Sequence, residues 1–172
     1  MEYLRIIYEQ FLLGDLEMYL RIFISTLIGL FIGWDRSSHN KPAGIKTYTY
    51  VSVSCTLITI LSIDSANLFS EADSGKMMDP MRLTAQVISG LGFIGAGLIM
   101  KDGLQVKGLT SAAMIFFAGG VGIGIGVGLY GLVLFSILMT FSSTKIENIY
   151  KKRELAKKDK EPIINLRERE IP

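Results

Sequence analysis

The apolar positions of this chain fall into long runs that are separated by short polar segments. The runs cover residues 18–34, 47–63, 83–100 and 108–144. Each of the first three is close to the roughly 20 residues that a helix needs to cross a bilayer. The fourth has 37 residues and no charge, and as one helix it would be about 55 Å long, almost twice the thickness of the hydrocarbon core. We therefore expect it to fold back as two spans.

The glycine content of the fourth run predicts where it breaks. Seven of the thirteen residues from Gly119 to Gly131 are glycine, the residue that most often ends a helix in a left-handed turn. The hydrophobic pattern thus predicts an all-α fold, a polytopic membrane bundle of about five transmembrane helices.

The charges predict the orientation of this bundle. Of the 34 Lys, Arg, Asp and Glu residues, 15 lie before residue 80, 15 lie after Phe141 and four lie between. Basic residues outnumber acidic ones in 35–46, in 101–107 and after Phe141, whereas acidic residues outnumber basic ones in 1–17 and 64–79. Because positively charged segments stay in the cytoplasm, five spans place the N-terminus outside and the C-terminus in the cytoplasm.

Three segments follow from the same pattern. Residues 1–17 form an N-terminal segment in which charges interrupt the apolar positions. We expect it to be either an interfacial amphipathic helix or a frayed tail. Residues 18–144 form the transmembrane domain. Residues 145–172 form a charged cytoplasmic tail, which we expect to begin as a helical extension and to end as a flexible segment.

Composition excludes several classes of protein. One cysteine and one histidine leave no disulfide framework and no Cys/His zinc cluster. The net charge of +2 is too small to indicate a nucleic-acid partner. The one histidine, His39, is expected in a solvated loop, no histidine lies inside a span, and no Walker A sequence occurs, so we expect neither an enzyme nor an organic cofactor.

Small residues recur at helical spacing in three of the predicted spans, and we expect these faces to pack helices closely. The predicted packing residues are Ser25, Gly29 and Gly33 in the first span, Gly95 and Gly97 in the third, and Gly120, Gly124 and Gly128 near the break. The alternative interpretation is that broken helices present backbone carbonyls to an ion.

Polar residues at the ends of the spans are the other candidates, because an unpaired polar group inside a membrane is costly. Asp35 and Arg36 follow Trp34 at the inner end of the first span, as a site or as an ordinary membrane-edge pair. Arg82, Gln86 and Ser89 share one face of the third span. Asp79 either acts with that face or caps its helix, and Thr110 and Ser111 either act or cap the fourth span. Acidic residues from Asp64 to Asp73 offer ligands to a hard cation such as Mg²⁺ or form a solvated loop.

Three segments resemble the MgtC/SapB family of bacterial membrane proteins. Residues 29–36 read GLFIGWDR and continue as AGIKT at 43–47, where the family has Gly-x-x-x-Gly-x-Glu-Arg and Ala-Gly-Leu-Arg-Thr. Residues 82–97 read RLTAQVISGLGFIGAG, which is similar to the family's block almost letter for letter, and VKGLTSAA at 106–113 is similar to Val-Arg-Gly-Leu-Thr-Thr-Ala-Ala. The chain departs from the family where aspartate replaces glutamate at Asp35 and lysine replaces arginine at Lys46 and Lys107.

The resemblance implies a multi-pass protein of the bacterial inner membrane, connected with Mg²⁺ homeostasis and growth in low Mg²⁺, with some relatives acting through contact with another membrane protein. It implies a short form, because many relatives carry a C-terminal cytoplasmic domain that 28 residues after Thr144 cannot form. Family motif positions that carry over as candidate functional residues are Asp35, Arg36, Lys46, Thr47, Asp79, Arg82, Gln86, Ser89, Gly90, Gly92, Phe93, Lys107 and Thr110.

Two functional hypotheses follow. The first is a non-enzymatic modulator that acts through helix contacts, either as a homodimer or with a membrane protein partner, in the lipid bilayer. The second is a transporter or channel for Mg²⁺ or for another small solute, including an anionic one. Mg²⁺ as a ligand or transported ion belongs to the second hypothesis, and the sequence identifies no metal-binding residues.

Overall fold

The structure is a computed structural model that describes residues 16–38, 41–72 and 79–158. Its elements are α1 (Leu16–Ser38), α2 (Ile45–Ala72), α3 (Arg82–Leu98), β1 (Met100–Asp102), β2 (Gln105–Lys107), α4 (Leu109–Val127) and α5 (Tyr130–Lys158). The predicted all-α membrane bundle is confirmed. Three of the helices, α1, α2 as far as Phe69, and α4, are long and apolar enough to cross a membrane.

The chain divides into two compact units, with the boundary between Tyr130 and Gly131. The first unit contains α1 to α4 and the strands, and the second consists of α5. Helix α5 continues from its apolar first half into the charged residues as far as Lys158. Nearly all of the predicted N-terminal segment and the end of the predicted tail, residues 159–172, lie outside the described residues.

The break in the long apolar run lies at Gly128, inside the predicted glycine-rich stretch. Gly128 has φ of 91°, a left-handed conformation that glycine adopts without steric cost. Its N–H donates to the carbonyl of Ile125, and the N–H of Leu129 donates to the carbonyl of Gly124. This Schellman pattern satisfies carbonyls that the end of a helix otherwise leaves without donors, so α4 ends here and α5 begins at Tyr130.

Helices α1 and α2 run antiparallel with their backbones in close approach. A Cβ atom built on Gly33 would lie 2.5 Å from Cα of Ile45, and one built on Gly29 would lie 2.8 Å from Cα of Thr49. Further along the same face, Ser25 Oγ lies 2.9 Å from Ser52 Oγ. Rising numbers on α2 therefore meet falling numbers on α1, and only small residues fit between the two backbones.

Helices α2 and α4 run parallel and approach just as closely. A Cβ atom on Gly122 would lie 2.3 Å from the carbonyl oxygen of Ser52, and one on Gly126 would lie 2.6 Å from Cβ of Thr59. The core between these helices includes Tyr48 and Ile125, both without solvent exposure. Helix α2 contacts α1, α3 and α4, and α4 likewise contacts α1, α2 and α3, so α2 and α4 are the central pair of the first unit.

Helix α3 packs against α4 through a narrow stripe. Only Thr84, Leu91 and Gly95 are buried among its residues. A Cβ atom on Gly95 would contact Ala112, and one on Gly119 would overlap the side chain of Leu91. The two helices are thus antiparallel, and the rest of α3 lies outside this contact.

A short hairpin between α3 and α4 is absent from the sequence-based prediction. Strands β1 and β2 pair antiparallel, with Lys101 opposite Val106, and Gly103 has φ of 61° in the turn. Because Asp102 pairs with Gln105, the turn consists of Gly103 and Leu104, with glycine at the first central position, where a two-residue hairpin turn favours it. Gly108 follows with φ of 89°, and a Cβ atom there would lie 1.9 Å from the carbonyl oxygen of Leu98.

The acidic loop that the sequence predicted after residue 63 is in part helical. Asp64 and Asn67 lie on α2, which ends only at Ala72. Ala66 is buried, and the hydroxyl of Ser62 donates to the carbonyl of Pro80, so packing holds this last part of α2 in the helix. Asp73 lies outside the described residues.

Two glycines of α4 provide a test of this packing. Gly122→Ala is expected to destabilise the protein by about 1–3 kcal/mol, because a backbone carbonyl occupies the space of the new methyl group. Gly120→Ala is the matched control. In the described structure, no atom of a neighbouring element lies within 4 Å of the Cβ position of Gly120, so this substitution should not lower the stability. Thermal unfolding in detergent, followed by circular dichroism, measures both. Equal unfolding temperatures would contradict the α2–α4 contact.

Candidate functional site

A cluster of hydroxyl groups lies where α1, α2 and α4 meet. Thr56 Oγ1 is 2.7 Å from Ser25 Oγ, 3.0 Å from the carbonyl oxygen of Ser52 and 2.8 Å from that of Gly122. Ser25 and Ser52 also join each other through their hydroxyls. The Thr56 hydroxyl has one proton and the carbonyls only accept, so the serine protons complete the network. All three hydroxyl side chains are fully buried.

Arg21 lies at the C-terminal end of α4, at one end of the bundle. Its Nη1 donates to the carbonyl of Gly126, and its Nη2 forms an ion pair with Glu17 one turn away on α1. A cation at a helix C-terminus opposes the negative end of the helix dipole and is stabilised there. This arginine therefore fastens α1 to the end of α4.

Arg36 occupies the corresponding position at the other end of α4. Its Nη2 donates to Ser111 Oγ at 3.2 Å, in the first turn of α4, and its guanidinium is also within reach of the Tyr48 hydroxyl. Tyr48 Oη donates to the carbonyl oxygen of Ser111 at 3.5 Å. Arg36 is 9% exposed, Ser111 is 2% exposed and Tyr48 is fully buried. The ends of α1, α2 and α4 are thus joined by polar contacts.

Other motif residues surround this end without entering it. Asp35 is half-buried, Thr47 is half-buried, and Lys46 is exposed. Lys107 is exposed on β2 and forms an ion pair with Asp102. The structure therefore brings Arg36 together with Ser111 and places the two motif lysines outside that contact.

The start of α4 differs from the predicted cap. The N-cap residue is Gly108, which makes no side-chain capping bond. Thr110 is exposed, and Ser111 accepts from Arg36 instead. At α3, the carboxylate of Asp79 does accept from the N–H of Met81 at 2.8 Å, so Asp79 orders the turn that leads into that helix.

The motif block on α3 lies largely on the surface. Arg82, Gln86, Ser89, Gly90 and Gly92 are exposed, and Phe93 is 84% exposed. No heavy atom in the described structure contacts the Cβ positions of Gly90, Gly92 and Gly97 within 4 Å. These residues form what we call the α3 outer face.

The glycines that pack helices differ in part from the predicted set. Ser25, Gly29, Gly33 and Gly95 lie in helix contacts. The predicted Gly97 and Gly120 have open space around their Cβ positions within the described residues, and Gly128 forms the turn. Gly124 is half-buried and its carbonyl accepts from Leu129. The close contacts on α4 belong to Gly119, Gly122 and Gly126.

Sequence reasoning missed the α2 side of the site. Tyr48, Ser52 and Thr56 recur at i, i+4 and i+8 on one face of α2, a regularity that could have identified a polar stripe. The spacing is hard to recognise from the sequence because hydroxyl residues are frequent throughout this span. In residues 16–38, 41–72 and 79–158, no group of three or more His, Cys, Asp and Glu side chains is placed to hold a metal ion.

A family model described as the MgtC family matches residues 22–152 of this chain. Protein SapB of Bacillus subtilis (strain 168) is 44% identical over 132 residues, which cover 76% of this chain and 56% of SapB. Protein MgtC of Brucella abortus (strain 2308) is 38% identical over 103 residues, which cover 60% of this chain and 40% of that protein.

The protein of Escherichia coli (strain K12) named "Putative magnesium transporter YhiD" is 34% identical over 125 residues, which cover 72% of this chain and 57% of YhiD. The chain thus spans about half the length of the curated relatives it matches. No solved structure matches it significantly.

The hydroxyl cluster can be tested by an isosteric change. Thr56→Val removes a hydroxyl that links three helices and leaves the Gly122 carbonyl without this donor, so we expect a loss of about 1–2 kcal/mol in stability. Thr49→Val is the control, because Thr49 Oγ1 donates only to the carbonyl of Ile45 on its own helix. Unfolding in mixed micelles compares the two variants, and a loss in Thr56→Val no larger than that in Thr49→Val would contradict the cluster.

Proposed function

Because the chain belongs to the MgtC family, we propose that it acts in Mg²⁺ homeostasis, as a non-enzymatic modulator that works through contacts between membrane helices. The name of the YhiD relative supports the connection with Mg²⁺. The proposed location is the bacterial inner membrane, which the chain crosses five times. The single observation that carries the mechanism is the composition of the α3 outer face.

The α3 outer face is unlike a surface that meets lipid. Exposed positions on α1 are large and apolar, as at Phe23, Leu27 and Phe31. The α3 outer face instead combines the exposed Phe93 with an amide at Gln86, a hydroxyl at Ser89 and open glycines. Polar groups facing hydrocarbon are costly, whereas small and polar residues are typical of surfaces where membrane helices meet. We therefore assign this face to contact with another helix.

The proposed occupant of the α3 outer face is the same face of a second copy of the chain. Residues 83–98 carry no charge, so two copies of α3 meet without repulsion along these residues, and the exposed Arg82 lies at the end of the face. Gly92 and its small neighbours allow their backbones to approach closely. An amide such as Gln86 supplies both a donor and an acceptor, so identical faces can bond to each other.

The register of the helices supports the proposed orientation. The end of α1, the start of α2, the end of α3 and the start of α4 all lie at one end of the first unit. This end carries Arg36, Lys46, Lys101 and Lys107, and basic residues favour the cytoplasmic side. The opposite end, with Glu17 and Asp64, then faces outward.

Growth in low Mg²⁺ tests the modulator. In a bacterium that lacks its own family member, the chain should restore growth, and Gly92→Leu should abolish the rescue because its bulk separates the two helices. Gly120→Leu is the control, since both glycines have open Cβ positions.

Cross-linking supplies a second readout of the same contact. Ser89→Cys should form a disulfide-linked dimer under oxidation, and adding Gly92→Leu should lower its yield several-fold. The parent chain, whose one cysteine is the buried Cys55, should form none. Rescue by Gly92→Leu, or a Ser89→Cys protein that stays monomeric, would contradict the proposed dimer.

The second candidate is a transporter or channel for Mg²⁺ or a small anionic solute. Among the described residues, the buried side chains with a hydroxyl or a charge are seven serines and threonines, Tyr48 and Arg36. Divalent cations are coordinated mainly by carboxylate, carbonyl and water oxygens, so this interior favours an anion over Mg²⁺. The basic end around Arg36 is the observation in favour of an anionic solute.

Flux measurements separate the two candidates. Liposomes that contain the purified chain and a Mg²⁺-sensitive dye are expected to take up no more Mg²⁺ than empty liposomes. Folded and inserted protein is verified by circular dichroism and protease protection. Saturable uptake that Asp35→Ala abolishes would overturn the modulator and make the chain a Mg²⁺ transporter.

A further inference from the structure

Two arginines of α1 lie at the two ends of helix α4, and the helix dipole gives them opposite electrostatic surroundings. Arg21 lies at the C-terminal end, where the helix dipole is negative, and it forms an ion pair with Glu17. Arg36 lies at the N-terminal end, where the dipole is positive. The charge of Arg21 is therefore offset by both Glu17 and the negative helix end, whereas the charge of Arg36 lies at a helix end of the same sign.

The buried guanidinium of Arg36 has no carboxylate partner among residues 16–38, 41–72 and 79–158. Arg36 is 9% exposed, and in the described part of the chain its guanidinium donates to the neutral hydroxyl of Ser111 and lies near the hydroxyl of Tyr48. Its Nε is buried and has no acceptor there. Lys107, the nearest cation in the sequence before α4, is already paired with Asp102. A buried and unpaired cation carries a large desolvation penalty, which a bound anion would offset.

The first turn of α4 adds donors to the same place. Gly108 makes no side-chain cap, and the first intrahelical bond is from the N–H of Ala112 to the carbonyl of Gly108. The N–H groups of Leu109, Thr110 and Ser111 thus have no acceptor within the helix. Free N–H groups at a positive helix end bind anions, and Arg36 reaches this turn through Ser111.

We infer that Arg36, the hydroxyl of Ser111 and the first-turn N–H groups of α4 form a binding site for a phosphate group. The planar guanidinium offers paired donors that match phosphate oxygens, and the helix end supplies further donors from a different direction. The position at the basic end of the bundle, next to the membrane surface, admits two sources of the group. It belongs either to inorganic phosphate or to the headgroup of an anionic phospholipid. The site does not depend on the proposed role of the α3 outer face.

Two probes distinguish these sources on purified, full-length chain. In the first arm, sodium phosphate is titrated at constant ionic strength against sodium chloride, and binding is read from the thermal unfolding midpoint, which rises when a ligand binds the folded state. In the second arm, the chain is placed in nanodiscs of phosphatidylcholine with and without phosphatidylglycerol, and native mass spectrometry counts the phosphatidylglycerol molecules it retains.

Three variants identify the residues. Arg36→Gln should abolish the response, and Arg36→Lys should weaken it about tenfold, because lysine keeps the charge and loses the paired geometry. Lys101→Gln removes one exposed positive charge from the same end and should leave binding unchanged. If Arg36→Gln does not fold, Arg36→Lys and Ser111→Ala carry the test.

The outcomes are distinct. A phosphate-dependent shift that Arg36→Lys weakens assigns the site to inorganic phosphate, whereas retained phosphatidylglycerol that Arg36→Lys releases assigns it to a lipid headgroup. No response in either arm from folded protein, or an equal loss in Lys101→Gln and Arg36→Lys, would overturn the proposed site.

Discussion

The close approach of the α2 backbone to α1 on one side and to α4 on the other is the constraint on which the rest of the structure depends. It is possible because glycine occupies the contact positions, and a single added Cβ at Gly33 or Gly122 would meet backbone atoms. Because the backbones are this close, hydroxyl groups on α2 form hydrogen bonds to both α1 and α4. The cluster around Thr56 then satisfies polar groups that a membrane interior would leave without partners. Close packing and polar satisfaction are therefore two consequences of the same choice of residues.

The same packing divides the motif residues into two environments. Those at the junction of α1 and α4 are buried, and Arg36 is fixed there by Ser111. Those on α3 are mostly exposed, since this helix contributes only a narrow buried stripe. A motif block that is polar and small but lies on the surface has no evident role in the stability of one chain. We propose an external contact for this block, whereas the buried motif residue Arg36 has its contacts within the chain.

The electrostatics of α4 connect the fold with its candidate chemistry. The antiparallel arrangement of α1 and α4 brings Arg21 to one end of α4 and Arg36 to the other. Because the helix dipole has opposite signs at its two ends, it stabilises the charge of one arginine and opposes the charge of the other. The charge of Arg21 is offset by Glu17 and by a helix carbonyl, although its Nε, like that of Arg36, is buried without a partner among the described residues. Arg36 meets a neutral hydroxyl and a positive helix end, and this difference is the basis of the anion site that we propose.

The sequence by itself determined the number of helices, the break near Gly128 and the membrane class. Lengths of apolar runs and the position of charges depend only on local composition and the thickness of a bilayer. It also located Arg36 as a candidate, but not its partners. Only the tertiary structure decided that Gly122 packs against a neighbouring helix while the Cβ position of Gly120 stays open. Two glycine-rich faces of one helix have the same local sequence pattern, and only the position of the neighbouring helix distinguishes them. It likewise decided that the α3 outer face lies on the surface, and that Ser111 meets Arg36. Such pairings depend on the register between distant segments, which no local pattern encodes.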